Sequence, residues 1–246
     1  MTPRLVTIPY SHYCEKARWA LERGAVTFTE EMHAPLFAWR GALGAGGRRT
    51  VPVLVTEAGV VKESTDILRW VDAHGQPPEP YFPPELPEVL ALVSLFDRRL
   101  GPATRRVGYF HALRGGPTYV EELLTTDVPA WEARAVRMLG SVLPRILRFG
   151  LKIDEAGVAR STIAIEAVFA TVNERLADGR KTLAGDAFTA ADLTFAALAG
   201  PVVMPPTYAM RFGGAARLPA PLGAIVDAMR ATRAGAFAMR IYETYR

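Results

Sequence analysis

The sequence predicts a mixed α/β first domain followed by an all-helical second domain. Two patterns and one boundary carry that prediction. Short β-branched runs alternate with helical spacing through residue 76, and a proline cluster follows. Beyond it the apolar residues recur at three- and four-residue intervals. The organisation read from these features is a first domain over residues 1–76, a Pro-rich linker over 77–87 and a helical domain over 88–246.

The first run, Leu5-Val6-Thr7-Ile8, reads as a buried strand. Ser11-His12-Tyr13-Cys14 follows it and opens the helical pattern Glu15-Lys16-Ala17-Arg18-Trp19-Ala20-Leu21. A strand that runs through a loop into a helix N-terminus leaves unpaired N–H groups and a positive dipole end, which favour an anion such as a thiolate. The spacing Ser-x-x-Cys is that of thiol redox motifs with the first sulfur replaced by a hydroxyl. The replacement makes Ser11 a hydrogen-bond donor and assigns the reactive sulfur to a bound ligand. A plainer reading makes Ser11 an N-cap and Cys14 a small buried apolar residue.

Ala34 to Arg49 contains Gly41, Gly44, Gly46 and Gly47 and reads as a mobile loop. It lacks the Gly-Lys-Ser/Thr of a phosphate loop. Thr50-Val51-Pro52-Val53-Leu54-Val55 and Val60-Val61 flank the turn Glu57-Ala58-Gly59 and read as a hairpin, with Ser64 as N-cap of the next helix. Strand, helix, strand, then helix, hairpin, helix is the thioredoxin-like order, a mixed four-stranded sheet with helices. Val51-Pro52 sits where that fold places a cis proline.

Six prolines between Pro77 and Pro87 forbid helix and ladder pairing and favour an extended, stiff connector. After it, helices are predicted near Glu88–Leu100, Ala130–Phe149, Val158–Ala177, Ala190–Ala199 and Pro221–Ala231, with Pro144 kinking or splitting the second. Thr189 and Asp192 have the spacing of a capping box, with Phe188 stapling onto Leu193.

Composition narrows the function. Half of the 246 residues are hydrophobic, and 29 basic against 25 acidic residues leave a charge of +4. The small basic excess is spread over both parts, so no nucleic-acid surface is indicated. One cysteine excludes an intrachain disulfide and fits a reducing cytoplasm. His12, His33, His74 and His111 lack metal-ligand spacing, so no metal is expected. No apolar signal segment opens the chain, and Leu193 to Met210 is broken by Pro201, Pro205 and Pro206, which argues against a membrane span. Arg134, Arg137, Arg145 and Arg148 read as a solvated helix face.

In the order and spacing of its motifs the chain resembles the soluble glutathione S-transferases along its whole length, and Glu15 to Leu21 looks like the bacterial members with a catalytic Ser or Cys. The resemblance implies glutathione as co-substrate, Ser11 or Cys14 as the catalytic group, and a homodimer of cytoplasmic, detoxifying function. It implies a glutathione site of Ser11, His12, Thr50, Val51, Pro52, Glu63 and Ser64, with Glu63 and Ser64 on the γ-glutamyl end, the Val51 backbone on the cysteinyl amide, and Arg48, Arg49 or Thr50 near its carboxylates. It also implies an acceptor pocket walled by Tyr10, His12, Tyr109 and Phe110, although core packing explains the last two equally. Cys14 departs from serine-type members, as does the Gly-rich segment. Two alternatives stay open: a thiol oxidoreductase using Cys14, and a non-catalytic binding protein of the same fold. His12 is read either as a solvated loop residue or as a partner of Ser11.

Overall fold

The computed structural model describes residues 1–246. Its first part interleaves β1 (Arg4–Thr7), α1 (His12–Arg23), β2 (Thr29–Met32), α2 (Pro35–Gly44), β3 (Val53–Thr56), β4 (Gly59–Val61) and α3 (Ser64–His74). The four strands form one sheet in the order β2-β1-β3-β4. β1 pairs parallel with β2, Leu5 opposite Glu30, and antiparallel with β3, Leu5 opposite Leu54. β4 returns antiparallel against β3. β1 and β3 are buried because Leu5, Val6, Val53 and Leu54 face helices or packed side chains on both sides of the sheet. β2 is an edge strand, Thr-Glu-Glu-Met, whose carboxylates are used inward: Glu30 binds Arg18 and the Thr7 hydroxyl, and Glu31 binds Arg4 and His33. That explains why a helix lies between two strands although only one of them has an apolar pattern.

Two details of this part differ from the sequence reading. The segment expected as a loop from Ala34 is helical as far as Gly44, with Pro35 at its first position; the loop is confined to residues 45–52. The N-cap of α3 is Glu63, not Ser64, and no side chain caps that helix. Val51-Pro52 is cis, as expected.

Residues 75–87 form neither helix nor strand. They are nevertheless fixed: Asp72 accepts from the backbone N–H groups of Tyr81 and Phe82, and the buried Tyr81 hydroxyl donates to the Ala20 carbonyl. The helical part then runs α4 (Glu88–Leu95), a π-helical turn (Phe96–Leu100), α5 (Gly101–Ala112), α6 (Pro117–Thr125), α7 (Ala130–Leu139), α8 (Val142–Gly150), α9 (Glu155–Arg175), α10 (Ala190–Val203), α11 (Pro206–Ala209), α12 (Ala220–Arg230) and α13 (Arg233–Tyr245). The break expected at Pro144 falls earlier, at Gly140, whose φ of 47° ends α7; Pro144 then sits in the first turn of α8, where its missing N–H costs nothing.

All fourteen residues of α10 are buried, so an apolar sequence on every side becomes the centre of the protein. A core of 45 buried residues surrounds it, drawing Leu5, Trp19 and Ile67 from the first part and Phe96, Phe195 and Ile241 from the second. The capping box forms: Asp192 accepts from the Thr189 N–H at 2.8 Å, and Thr189 accepts from Ala191. Asp192 also accepts from Leu183, so the box ties α10 to the loop before it. Phe188 stacks on Tyr245 and lies against Trp19. No single helix is long and apolar enough to cross a membrane.

Candidate active site

The loop between β1 and α1 is held from four directions. The Ser11 N–H bonds to the Ile8 carbonyl, the Tyr208 hydroxyl donates to the Tyr10 carbonyl at 2.8 Å, and the Ile8 N–H approaches the Cys14 sulfur at 3.5 Å. His12 donates through Nε2 to the Gly101 carbonyl at 2.9 Å, reaching across to α5. Since a carbonyl only accepts, Nε2 must carry the proton. His12 is buried, not solvated, and loss of hydration lowers its pKa to about 3, against a small opposing effect of the Gly101 bond. It is neutral at physiological pH and acts as a tether rather than a base.

Ser11 is the N-cap of α1, its oxygen accepting from the Cys14 N–H at 3.4 Å. Accepting uses a lone pair and leaves the hydroxyl proton free to donate. The plain and the chemical readings of Ser11 are therefore compatible. Cys14 lies inside α1 with no exposure, and burial pushes its thiol up to about 11 despite the Ser11 contact. It is a poor thiolate and a poor nucleophile.

Two voids meet beside this helix start. The first is a cleft of about 580 Å³ that gathers Thr50, Val51, Pro52, Glu63 and Ser64, five of the seven residues expected for the glutathione site. The β1–β3 ladder stops at Val6–Val53, so Val51 is left outside the sheet. With no side-chain cap on α3, the N–H groups of Ser64, Thr65 and Asp66 point out of its first turn. This is a built-in anion site flanked by an acidic side chain, Glu63. Arg48 lies 3.7 Å from Glu63.

The second is a cavity of about 310 Å³, mostly apolar, that takes in Tyr10, Ser11, His12 and Tyr109 with Leu147, Met204 and Phe212. Phe110 is not among its walls; its ring lies under the Arg114 guanidinium at 3.6 Å. Arg49 and Thr50 also line this cavity. Tyr13, Thr50, Val51 and Arg105 are common to both voids.

The sequence reading missed two groups here. Arg105, half-buried on α5, faces both voids and makes neither hydrogen bond nor ion pair. Asp97, on the π-helical turn, receives the fully buried Lys16 ammonium at 2.9 Å and the Thr65 hydroxyl at 2.5 Å, and its carbonyl accepts from Tyr13. Asp97 thereby fixes the first turn of α3 to α1. Gly101 allows the approach, because a Cβ there would collide with the Tyr13 hydroxyl. Neither residue belongs to a local motif; only the packing of α5 on α1 brings them to the site.

Residues 5–79 match the family model of the glutathione S-transferase N-terminal domain. Among solved structures, a glutathione S-transferase from Methylobacterium radiotolerans in complex with glutathione sulfonate is 22% identical, with a TM-score of 0.52 over 96% of this chain and 94% of that one. Over residues 5–79 the chain matches that family's N-terminal domain, and over its whole length it shares the fold of these solved structures. A Ceriporiopsis subvermispora glutathione S-transferase in complex with glutathione aligns over 100% of this chain and 98% of its own, with a TM-score of 0.64 at 16% identity. A beta-etherase from a Sphingobium strain aligns over 98% and 99%, with a TM-score of 0.58 at 15% identity. No curated protein matches the chain. At these identities the fold is shared while the residues lining its voids are free to differ.

Proposed function

We propose that this protein is a serine-type glutathione transferase that joins the sulfur of glutathione to an electrophilic small molecule. The observation that carries the reading is the meeting of a polar cleft and an apolar cavity at Tyr13, Thr50, Val51 and Arg105, with the free Ser11 proton beside them. Solved neighbours of the same fold hold glutathione or its sulfonate, which supports the choice of ligand.

In this reading the first turn of α3 and the Ser64 hydroxyl take the γ-glutamyl carboxylate, Glu63 takes its ammonium, and the unpaired Val51 backbone takes the cysteinyl amide. The sulfur comes to lie at the start of α1, where the Ser11 hydroxyl donates to it and the helix dipole adds positive potential. Both lower the thiol pKa from its usual 8.5, each unit being worth about 1.4 kcal/mol. The thiolate then attacks the electrophilic carbon of a ligand in the cavity. A carbon–sulfur bond forms and the leaving group departs with its electron pair, while proximity supplies much of the rate. Cys14 takes no part, being buried and protonated. The reading includes a homodimer and a reducing cytoplasmic setting, in which a lone thiol stays free.

Ser11→Ala is the test. Conjugation at neutral pH should fall about tenfold to a hundredfold, below the 2.7–4 kcal/mol of an oxyanion-hole donor because sulfur is more diffuse. Glutathione affinity by calorimetry should change less than threefold, about 0.7 kcal/mol. An unchanged pH–rate profile would remove Ser11 from the mechanism.

A further inference from the structure

Helix α8 is apolar on two opposite sides. Leu143 and Leu147 are buried, and Leu147 walls the cavity. On the other side Val142, Arg145, Ile146 and Phe149, at i, i+3, i+4 and i+7, form a stripe open to solvent, with Phe149 89% exposed. The preceding helix adds Trp131, Arg134 and Met138, again at i, i+3 and i+7, with Met138 81% exposed. Five of the eleven large hydrophobic side chains exposed on the whole protein thus fall between residues 131 and 149. Charge is equally one-sided: from Ala133 to Ile153 there are Arg134, Arg137, Arg145, Arg148 and Lys152 and no acidic residue. Of these, Arg137 is paired with Glu121 and Arg148 donates to the Leu113 carbonyl, while the charged groups of Arg134, Arg145 and Lys152 make no hydrogen bond or ion pair within the protein. The acidic residue that opens the segment, Glu132, is buried and committed to His33 and the Ala34 N–H.

We propose that the α7–α8 face docks on an anionic lipid bilayer. Aromatic and aliphatic side chains interleaved with arginines match the two layers of such a surface: acyl chains take Phe149, Ile146 and Met138, and phosphate headgroups take Arg134, Arg145 and Lys152. The charge argues against a second copy as the occupant, since a two-fold contact here would set one basic patch against another. A nucleic acid would satisfy the arginines yet leave Phe149 and Met138 uncovered. Docked in this way, the bilayer lies one helix thickness, about 10 Å, from the cavity that Leu147 lines on the opposite side of α8, within reach of acceptors that partition into lipid.

Flotation of the full chain with phosphatidylcholine vesicles, with and without phosphatidylglycerol, tests this. The protein should float with the anionic vesicles at low salt, and far less with neutral ones. Ile146→Ser combined with Phe149→Ser should weaken that binding by at least about tenfold, and Arg134→Glu with Arg145→Glu by a similar factor. All four side chains are exposed, so both double variants should keep the wild-type circular dichroism. Failure of the wild type to float with anionic vesicles would overturn the proposal. So would variants that float as the wild type does, or a wild type that dimerises through Phe149 or binds duplex DNA while ignoring vesicles. Glutathione calorimetry on the same proteins reports separately on the transferase reading, which this surface does not require.

Discussion

Replacing His12 by Gln should flatten the acid side of the stability curve. His12 is 3% exposed, and its folded pKa of about 3 lies far below the ordinary 6.5, chiefly because burial penalises the cation. The unfolded chain therefore takes a proton as the pH drops through 6.5, whereas the folded protein does not until near 3. A depressed folded pKa makes the contribution fully present above the unfolded value and progressively lost below it. Between about pH 8 and about pH 5 the loss comes to about 2 kcal/mol from this one group, growing to about 4–5 kcal/mol near pH 3. Glutamine can keep an N–H on the Gly101 carbonyl and does not titrate. Urea unfolding of both proteins at the two pH values isolates the term, because every other titrating group cancels in the difference. The variant should lose about 2 kcal/mol less than the wild type over that interval. Equal losses would show that His12 is hydrated in the folded state, and the account of the α1–α5 tether would fall with it.

Two further substitutions probe the site's supports. Asp97→Asn leaves the buried Lys16 ammonium without an anion and should cost about 3 kcal/mol in urea unfolding, the low end for a broken buried pair because the Asp97 side chain keeps 23% exposure; a change below about 0.5 kcal/mol would mean that Lys16 is already neutral. Cys14→Ser should leave conjugation within a factor of about three, since the thiol is buried and protonated; loss of all activity, with a mixed disulfide trapped on Cys14 in the wild type, would favour the oxidoreductase alternative.

What the sequence disclosed and what it hid follow from range. Ser11, the Val51-Pro52 turn and the Thr189–Asp192 box are local: each is set by neighbours within a few residues, so spacing alone reveals them. α2 was hidden because its glycines argue for a loop while Pro35 and the run to Trp39 argue for a helix, and only packing over β1 decides between them. His12 was misjudged for a similar reason. Its burial depends on Gly101, 89 residues away, and no periodicity encodes that contact. Arg105 and Asp97 were invisible on the same ground. Arg134, Arg137 and Arg145 do face solvent, as expected, whereas Arg148 is half-buried and turns onto the Leu113 carbonyl; the apolar stripe running between the exposed arginines appears only once α8 has committed its other face to the cavity.

Ser11 shows why the Ala variant needs a companion. One oxygen ends the helix by accepting from Cys14, and in the proposed mechanism its proton steadies the sulfur. Ser11→Ala removes both, and loss of the cap alone is worth about 1 kcal/mol of stability. A rate decrease in that variant could then arise from a frayed α1 that no longer aims its dipole. Ser11→Gly separates the two, because glycine at the N-cap costs only roughly a few tenths of a kcal/mol against Ser but has no proton to give and adds no charge beside the sulfur. If donation is the catalytic term, the Gly variant should unfold at near wild-type urea concentrations while conjugating no faster than the Ala variant. If capping is the whole role of Ser11, the Gly variant should recover stability and rate together, and the serine-type assignment would have to be given up.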